Sequence, residues 1–423
     1  MVKVTAEIAI LNTKAVALAA DSAVTINYGE KVFHSVDKLF ELSHHHPVGI
    51  MFYGRDNFLN IPWETIITVY RSQLQKKSFT TVEKYADDFF KFLQKAKFDI
   101  KSPEKRETLF IIEALHIELE TIYKKVVDIK KSLHSEGSEL LPHEAKRSQF
   151  DAKVERYFID YIQSLAKDYI QGFTDEDYYI LLEKYSPYIE KIIKDKFDAD
   201  MLKDEWIKTI QAIVCSTLLK NFSNYKSGIV FAGFGEKEWL PSVVSYEVDG
   251  KINGKIKYRL IREKTRSINV QNNASIIPFA QIDMIDAFIT GIDSQIENYY
   301  LTEIETILEK IPQEVVKLAK KNWTDDEQIE QLQKEIFNEI VKLYRLFHEN
   351  ITAYKEKRFI DPIIFSVQVL PKKELAEMAE ALVNLTSFKR KVSSTVESVG
   401  GPIDVAVISK GDGFVWVKKK KRN

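Results

Sequence analysis

Apolar and polar positions alternate near the start of the chain and predict two short β-strands. The first run covers residues 6–11 and the second covers residues 16–20. A period of two is typical of a strand that has one buried face. If these strands pair antiparallel, the chain turns back so that Thr5, Asp21 and Lys38 can meet at one end of a sheet. A hydroxyl, a carboxylate and an amine at one corner would provide a nucleophile together with its means of activation.

Helical periodicity replaces the strand pattern in the next part of the chain. Apolar residues recur at helical spacing over 61–76 and 78–96, which predicts two helices that cover a sheet. Between 97 and 222 the pattern predicts long amphipathic helices that are rich in charge. Their charged faces are more typical of solvated helix surface than of a binding patch. Strand character returns at 227–234 and 241–250.

The remaining part of the chain is mostly helical in pattern. A helix is predicted over 276–289, and charged helix continues to about residue 358. A strand over 362–370, a helix over 372–389 and a β-hairpin within 400–417 complete the predicted order. Strands and helices are therefore grouped and do not alternate strictly. This grouping favours an α+β protein with antiparallel sheets covered by helices.

The grouping also predicts one discontinuous domain that carries two helical insertions. The charged helical segments show no fixed period, so a repeat array is not predicted. A basic run at the end of the chain is interpreted as a solvated tail. The predicted boundaries are 1–96, 227–290 and 359–417 for the three parts of the main domain, 97–226 and 291–358 for the helical insertions, and 418–423 for the basic tail.

Composition and charge argue against several classes of protein. Of the 423 residues, 45% are apolar and 29% are charged, which is typical of a globular chain. The formal net charge of −1 is too balanced to attract nucleic acid or an anionic membrane to the protein as a whole. The single cysteine, Cys215, lies in an apolar run and is predicted to be a buried core residue. No run approaches the roughly 20 apolar residues that span a bilayer, so we expect a cytoplasmic protein.

Three adjacent histidines at 44–46 lie between two further predicted strands, 38–42 and 48–54. Neighbouring residues in a turn point in different directions, and no fourth ligand follows at the spacing of a zinc site. We therefore interpret these histidines as exposed turn residues. Neither a metal nor any other cofactor is expected.

Several short motifs share an order and a spacing along the chain. Asp21 lies sixteen positions after Thr5. The motifs are Ala-Ala-Asp-Ser at 19–22, Lys-Leu-Phe-Glu-Leu at 38–42, Gly-Ile-Met-Phe-Tyr-Gly at 49–54, Ser-Ile-Ile-Pro-Phe-Ala at 275–280 and Gly-Gly-Pro-Ile-Asp-Val at 400–405. Together they resemble the proteasome β-subunit and bacterial HslV family of N-terminal-nucleophile hydrolases.

The resemblance implies a four-layer αββα sandwich, in which two antiparallel sheets lie between layers of helices. It covers roughly residues 5–96, 227–290 and 360–417, whereas the helical segments between them match no pattern of the family. It also implies a peptide or protein substrate, a homo-oligomer that could form a ring, and an unfoldase or regulatory partner. The insertions would then control access or assembly.

The resemblance further implies a role for each motif. The Thr5 hydroxyl would attack an amide carbonyl while the α-amino group of the same residue takes the proton. An α-amino group titrates at about 7.7–8, close to working pH, and is therefore a usable base. Lys38 would lower that pKa further, and Asp21 would hold Lys38 charged and oriented. The other implied roles are a hydrogen bond from Ser275 to the amino group, an oxyanion hole at the backbone amide of Tyr53, and a substrate pocket at Met51.

The sequence departs from the family pattern at both ends of the chain. Thr5 follows Val4, whereas active members generally carry glycine or only an initiator methionine before the nucleophile. An acylated Thr5 nitrogen is an amide and cannot act as the base, so a hydrolase requires removal of residues 1–4. The aspartate expected before the last glycine turn falls at Val396, which leaves the neighbouring Glu397 as the supporting acid.

Two functions therefore follow from the sequence. The first is a proteasome-like threonine hydrolase that cleaves peptide or other amide bonds. The alternative is a catalytically inactive scaffold or interaction protein with the same fold, in which Asp21 and Lys38 form a structural ion pair and Thr5 is an ordinary strand residue. Processing of the bond between Val4 and Thr5 distinguishes the two.

Overall fold

The structure, a computed structural model, describes residues 6–26, 31–33, 36–98, 103–135, 142–321, 326–392 and 401–420. The predicted nucleophile Thr5 and the predicted supporting acid Glu397 lie outside these residues. Contacts divide the chain into two compact units. Among the described residues, the five-stranded unit contains 6–39, 238–242 and 266–420, and the bundle unit contains 40–237 and 243–265. The division into a main domain with two insertions remains a prediction.

The chain is a mixed α+β protein, and its paired strands form antiparallel sheets. The strands are β1 (Glu7–Asn12), β2 (Val16–Ala20), β3 (Val24–Ile26), β4 (Lys31–Phe33), β5 (Leu39–Glu41), β6 (Val48–Gly54), β7 (Asn57–Phe58), β8 (Ile61–Pro62), β9 (Ser227–Gly233), β10 (Ser242–Ile252), β11 (Lys255–Leu260), β12 (Arg266–Ser267), β13 (Ala274–Pro278), β14 (Asp404–Ser409) and β15 (Gly413–Lys418). The helices are α1 (Trp63–Leu74), α2 (Val82–Lys95), α3 (Pro103–Ser135), α4 (His143–Ser164), α5 (Asp175–Lys196), α6 (Asp204–Lys220), α7 (Asp283–Thr290), α8 (Ser294–Ala319), α9 (Asp326–Lys355), α10 (Asp361–Val369) and α11 (Lys372–Val392).

The five-stranded unit is built on a sheet with the strand order β13-β1-β2-β14-β15. All neighbouring strands in it run antiparallel. Glu7 lies opposite Ala20, and Ala20 lies opposite Asp404, so these three residues form one row across the sheet. The two strands predicted at the start of the chain and the predicted terminal hairpin are confirmed.

Helices α7, α10 and α11 form a layer beside this sheet, with α11 on β1, β2 and β14 and α10 on β1 and β13. Alternate residues of β1 join a buried cluster with side chains of α10 and α11, because successive strand residues point to opposite faces. The cluster includes Ile8, Ile10, Val367, Leu375 and Leu382. Burying each such side chain contributes about 1.5–3 kcal/mol, so this layer fixes the position of β1.

Two predictions in this unit are wrong. The residues predicted as a strand over 362–370 form helix α10, which continues α9 through a π-helical turn at Glu356–Ile360. A short apolar run does not distinguish a strand from a buried helix segment, and here the preceding helix extends through it. The helix predicted over 276–289 begins only at Asp283, because the chain first completes strand β13.

The bundle unit contains a second antiparallel sheet, with the order β11-β10-β9-β6-β5. Helix α2 packs on β9 and β11 through aromatic contacts, and the ring centroids of Phe89 and Phe231 are 5.5 Å apart. Tyr53 of β6 lies opposite Gly228 of β9. A Cβ atom at position 228 would lie 1.9 Å from the Tyr53 ring, so this ring requires a glycine opposite it.

Helices α3, α4, α5 and α6 pack against one another in the same unit, so the helical character predicted between 97 and 222 is confirmed. Helix α5 begins with a capping box, in which Thr174 and Asp177 bond to each other's backbone N–H groups. Cys215 is buried in α6, as predicted. Among the described helices, none is long and apolar enough to cross a bilayer.

The three histidines lie in the irregular segment between β5 and β6, and His44 and His45 are exposed. His44 Nδ1 is 2.6 Å from a carboxylate oxygen of Glu41, whereas His46 Nε2 is 3.0 Å from the carbonyl oxygen of Lys76. The rings therefore have different partners. The interpretation of an exposed turn is confirmed.

Candidate catalytic cluster

Lys38 is a buried cation with two carboxylate partners. Its side chain is 1% exposed, and its Nζ atom lies 2.5 Å from Asp21 Oδ1 and 3.0 Å from Glu7 Oε1. Both carboxylates are also buried. Burial of an ammonium group is costly unless the group is paired and hydrogen-bonded. The structure thus brings together two residues that the sequence singled out, Asp21 and Lys38, and adds Glu7.

The strand register positions the two carboxylates. Asp21 directly follows β2, and its backbone N–H donates to the carbonyl oxygen of Ala6 at 3.1 Å. Glu7 begins β1 opposite Ala20, the last residue of β2 and the residue directly before Asp21. Lys38 directly precedes β5. Three strand ends therefore converge on one ammonium group.

The protonation state of Lys38 decides its chemistry. Burial by itself lowers the pKa of Lys38, but the charges and hydrogen bonds of Asp21 and Glu7 outweigh burial and hold the pKa above its usual value. The side chain is then a cation at neutral pH and cannot accept a proton. Lys38 can stabilise a developing negative charge or lower the pKa of a neighbouring amine, while a general base has to be a different group.

Glu7 is the member of the cluster that sequence reasoning missed. It is the only ionisable residue in the apolar run at 6–11. A glutamate is almost never fully buried without a partner, and in the structure Glu7 is 0% exposed. A carboxylate inside a strand with buried neighbours on both sides is therefore a signal that a cation lies nearby.

Ser275 does not lie beside the carboxylates of the cluster, and its predicted hydrogen bond to the Thr5 amino group stays a prediction, because Thr5 lies outside the described residues. In the pairing of β1 with β13, Ser275 lies opposite Leu11, four residues from Glu7. At about 3.3 Å per strand residue, this separation is about 13 Å along the strand. The chain reaches the Glu7 end of β1 only at Phe279, whose N–H donates to the Glu7 carbonyl oxygen at 3.0 Å. Ser275 is the second residue of β13, and the strand continues to Pro278.

A buried amide follows at this same end of the sheet. Gln281 is 6% exposed, and its Oε1 accepts a hydrogen bond of 2.7 Å from Nε of Arg390 on α11. Gln281 lies between the end of β13 and the start of α7. Its position, and not that of Ser275, corresponds to the end of β1 that carries Glu7.

The predicted oxyanion-hole and pocket residues belong to the bundle unit. Met51 is completely buried and lies opposite Val230, so it has no surface that is open to a substrate. The substrate pocket at Met51 stays a prediction. Tyr53 is partly exposed, with its ring on Gly228 and the Nζ of Lys264 5.6 Å from the ring centroid. The role of the Tyr53 amide stays a prediction.

Lys420 forms a second buried cluster in the five-stranded unit. Its side chain is 8% exposed, and Nζ lies 2.9 Å from Asp37 Oδ1 and 3.8 Å from Asp404 Oδ2. Nζ also donates to the carbonyl oxygen of Val36 at 2.7 Å and to Oγ of Ser22 at 3.1 Å. The prediction of a solvated basic tail is therefore wrong for Lys420.

This second cluster is joined to the first one along the chain. Ser22 is the neighbour of Asp21, and Asp37 is the neighbour of Lys38. The backbone N–H of Lys420 also donates to Asp404 Oδ1 at 2.8 Å, so the end of the chain is fixed by its backbone as well. Lys420 thus ties together the two segments that carry Asp21 and Lys38.

Within the described parts of the chain, no group of three or more histidine, cysteine, aspartate and glutamate side chains is placed to hold a metal ion. Comparison of the sequence with models of known protein families and with curated proteins finds no match. The function is therefore inferred from the clusters themselves.

Proposed function

We propose that the protein is a proteasome-like threonine hydrolase that cleaves peptide or other amide bonds, with Thr5 as an N-terminal nucleophile after removal of residues 1–4. The buried Lys38 cation, held by Asp21 and Glu7, is the observation that supports this function. Thr5 directly precedes Ala6 in the sequence, and the Ala6 carbonyl oxygen accepts the backbone hydrogen bond of Asp21. The proposed nucleophile is thus two residues before Glu7 in the chain.

The charge of Lys38 determines which group in the proposed site accepts the proton. The Thr5 Oγ forms a bond to the substrate carbonyl carbon, and its proton goes to the α-amino group, because Lys38 is already protonated. The fixed positive charge lowers the pKa of that amino group and stabilises the oxygen as it loses its proton. The amino group then protonates the departing amine, and water hydrolyses the acyl ester on Thr5.

The proposal includes the αββα sandwich that the resemblance implies. Two features support it, namely an antiparallel sheet in each unit and helices packed on each of these sheets. Antiparallel sheets with one face under helices leave a second apolar face to be covered.

A second candidate is an inactive scaffold, and the complete burial of Lys38 favours it. An ammonium group that is surrounded by two carboxylates and has no exposed surface can serve as a structural ion cluster alone. Such a cluster needs neither a free Thr5 amino group nor a substrate. The two candidates therefore differ in whether Thr5 performs chemistry.

Hydrolysis of a pool of short fluorogenic peptides by the purified full chain tests the proposal. We expect turnover by the natural sequence, loss of turnover in Thr5→Ala and partial activity in Thr5→Ser, which keeps a hydroxyl. Thr13→Ala is the matched control, because Thr13 is exposed in the turn between β1 and β2. Full activity in Thr5→Ala would contradict the proposed mechanism. An inactive chain that already begins at Thr5 would support the inactive scaffold.

A further inference from the structure

The helical hairpin formed by α8 and α9 belongs to the five-stranded unit. The two helices have 26 and 30 residues and pack against each other. An ion pair between Lys355 and Glu297 joins them at one end. Several residues between the two helices are only partly buried, such as Leu301 and Tyr344, whereas Pro312 and Ile329 are buried. A pair of helices this long thus buries little of its apolar surface internally.

Helix α8 carries an apolar stripe that its partner helix leaves exposed. Ile296, Tyr300, Ile307, Ile311 and Leu318 are spaced by four and seven residues, which places them on one side of the helix. All five are exposed, and Ile307 in the middle is 58% exposed. Apolar residues at this spacing are typical of a helix face that is buried in a contact.

Helix α9 carries a second exposed apolar stripe. Its members lie toward the end of the helix, and Leu343 is 64% exposed. The members are Leu343, Leu346, Phe347 and Tyr354. Single exposed apolar residues are ordinary, but a contiguous set of this size marks an interaction surface.

We propose that the α8–α9 hairpin is a dimerisation surface, at which the hairpins of two copies of this chain pack face to face and antiparallel as a four-helix bundle. Four helices enclose an apolar core that two helices cannot. A two-fold dimer uses the same patch on both copies and closes on itself. The proposal does not depend on the hydrolase function.

The size of the hairpin face matches a stable dimer. Helix α8 has 26 residues, so at 1.5 Å per residue and about 10 Å per helix the face is about 39 Å long and about 20 Å wide. This is about 800 Å² per copy, which is the area that each partner contributes to an interface of standard size.

The charges of the hairpin favour a second copy of the same chain. Each helix is mainly acidic in its first half and mainly basic toward its end. In α8 and directly after it, the acidic residues are Glu297, Glu303, Glu305, Glu309 and Glu314, and the basic residues are Lys310, Lys317, Lys320 and Lys321. In α9, the acidic residues are Asp326, Glu327, Glu330, Glu335, Glu339 and Glu349, and the basic residues are Lys334, Lys342, Arg345 and Lys355. Antiparallel packing of two hairpins therefore places acidic halves beside basic halves.

Gel filtration with light scattering on the full chain tests this proposal. We expect the natural sequence to have the mass of a dimer and Ile307→Glu combined with Leu343→Glu to have the mass of a monomer with unchanged helix content by circular dichroism. Both residues are more than half exposed, so the charges disturb the contact and not the fold. The matched control combines Trp239→Glu with Val270→Glu, which are 90% and 95% exposed in the same unit outside the hairpin, and it should remain a dimer.

A second variant keeps the test independent of apolar substitutions. Glu303→Lys, Glu305→Lys and Glu309→Lys together reverse the acidic half of α8 at exposed positions, and we expect them to raise the dimer dissociation constant by about tenfold or more, which corresponds to about 1.4 kcal/mol. A natural chain that is monomeric at every concentration overturns the proposal. An oligomer whose mass neither variant changes also overturns it, whereas a larger assembly that the hairpin variants split supports it.

Discussion

The charge of Lys38 is determined by two neighbouring side chains. Its ammonium group is held by Asp21 and Glu7 inside the five-stranded unit, away from solvent. The pair of carboxylates keeps it charged, because their attraction exceeds the cost of burial. A lysine that is charged at neutral pH stabilises negative charge, and a different group has to accept the proton.

We predict that Lys38→Met destabilises the protein by about 3–5 kcal/mol, because the substitution leaves two buried carboxylates without their cation. The measurement is the free energy of unfolding from urea titration. Lys373→Met is the control, since Lys373 is 83% exposed and pairs with Glu377 on the same helix. Equal stability of Lys38→Met and the natural chain would contradict a charged cluster.

The activity of Lys38 variants has to be measured together with their stability. Substitutions that shorten or neutralise the side chain lower stability as well as turnover, so a loss of activity alone is ambiguous. Lys38→Arg keeps the charge but changes the geometry of the donors. We expect it to retain more stability than Lys38→Met while it still reduces hydrolysis.

The pH dependence of stability provides a separate prediction. The folded pKa of Lys38 is raised above its unfolded value, which is about 10.4. The contribution of Lys38 to stability is therefore complete below that pH and is lost as the pH rises through the folded pKa. Above neutral pH, where the carboxylates of the natural chain are ionised, the unfolding free energies of the natural chain and Lys38→Met should differ by a constant amount up to about pH 10 and converge at higher pH. A difference that grows above pH 10 would contradict the direction of the shift.

At the scale of elements, Lys420 links the last strand to the segments that carry the cluster. Its side chain bonds to Ser22 and Asp37, which are the chain neighbours of Asp21 and Lys38. The residue thus couples the end of the chain to the geometry of the proposed site. The link acts on position, because Lys420 contacts the chain neighbours of Asp21 and Lys38.

We predict that Lys420→Met lowers the free energy of unfolding by about 3–5 kcal/mol and reduces peptide hydrolysis in the fraction that remains folded. The reason is that Asp37 and Asp404 lose their buried cation. Lys419→Met is the matched control, because Lys419 is exposed and its ammonium group lies 4.5 Å from the Trp416 ring. If both variants behave alike, the buried contacts of Lys420 do not matter.

The close contact between β6 and β9 gives a prediction about a strand pair. We expect Gly228→Ala to destabilise the chain by about 1–3 kcal/mol, because the new methyl group overlaps the Tyr53 ring. In a Tyr53→Ala background the same change should cost much less. A double-mutant cycle of unfolding free energies measures this coupling. Additive effects of the two substitutions would show that the ring does not depend on Gly228.

The elements differ in how far the sequence predicts them. The β1–β2 pair and the amphipathic helices follow from local periodicity, and the cap at Thr174 follows from a short local motif. Helix α10 does not, since its apolar run fits either state and the helix before it decides the outcome. The boundary between β13 and α7 likewise depends on pairing with β1 and not on local pattern.

The candidate site follows the same division. The meeting of Asp21 and Lys38 is predictable because spacing and strand pairing bring them to one end of a sheet. The place of Ser275 depends on a strand register, in which an error of a few residues moves a side chain by about 13 Å. The sequence does not predict the burial of Lys420, because charged runs at chain ends are usually solvated. The polar groups that surround Lys420 are distant from it in the sequence.

At the scale of the whole molecule, the residues proposed for the hydrolase are divided between the two units. The cluster belongs to the five-stranded unit, whereas Tyr53, the proposed source of the oxyanion-hole amide, belongs to the bundle unit. The α8–α9 hairpin is a separate feature, and we attribute its exposed apolar stripes to contact with a second copy of the chain. The proposed hydrolase and the proposed dimer are independent of each other, and each has its own test.

The intact mass of the purified protein tests the central claim most directly, because it shows which residue begins the mature chain. We predict the mass of a chain that starts at Thr5, and we predict that Thr5→Ala retains residues 1–4 if the Thr5 hydroxyl performs the cleavage. A preparation that hydrolyses peptides while every molecule still carries Val4 would contradict the claim, since its Thr5 nitrogen would be an amide and could not accept the proton.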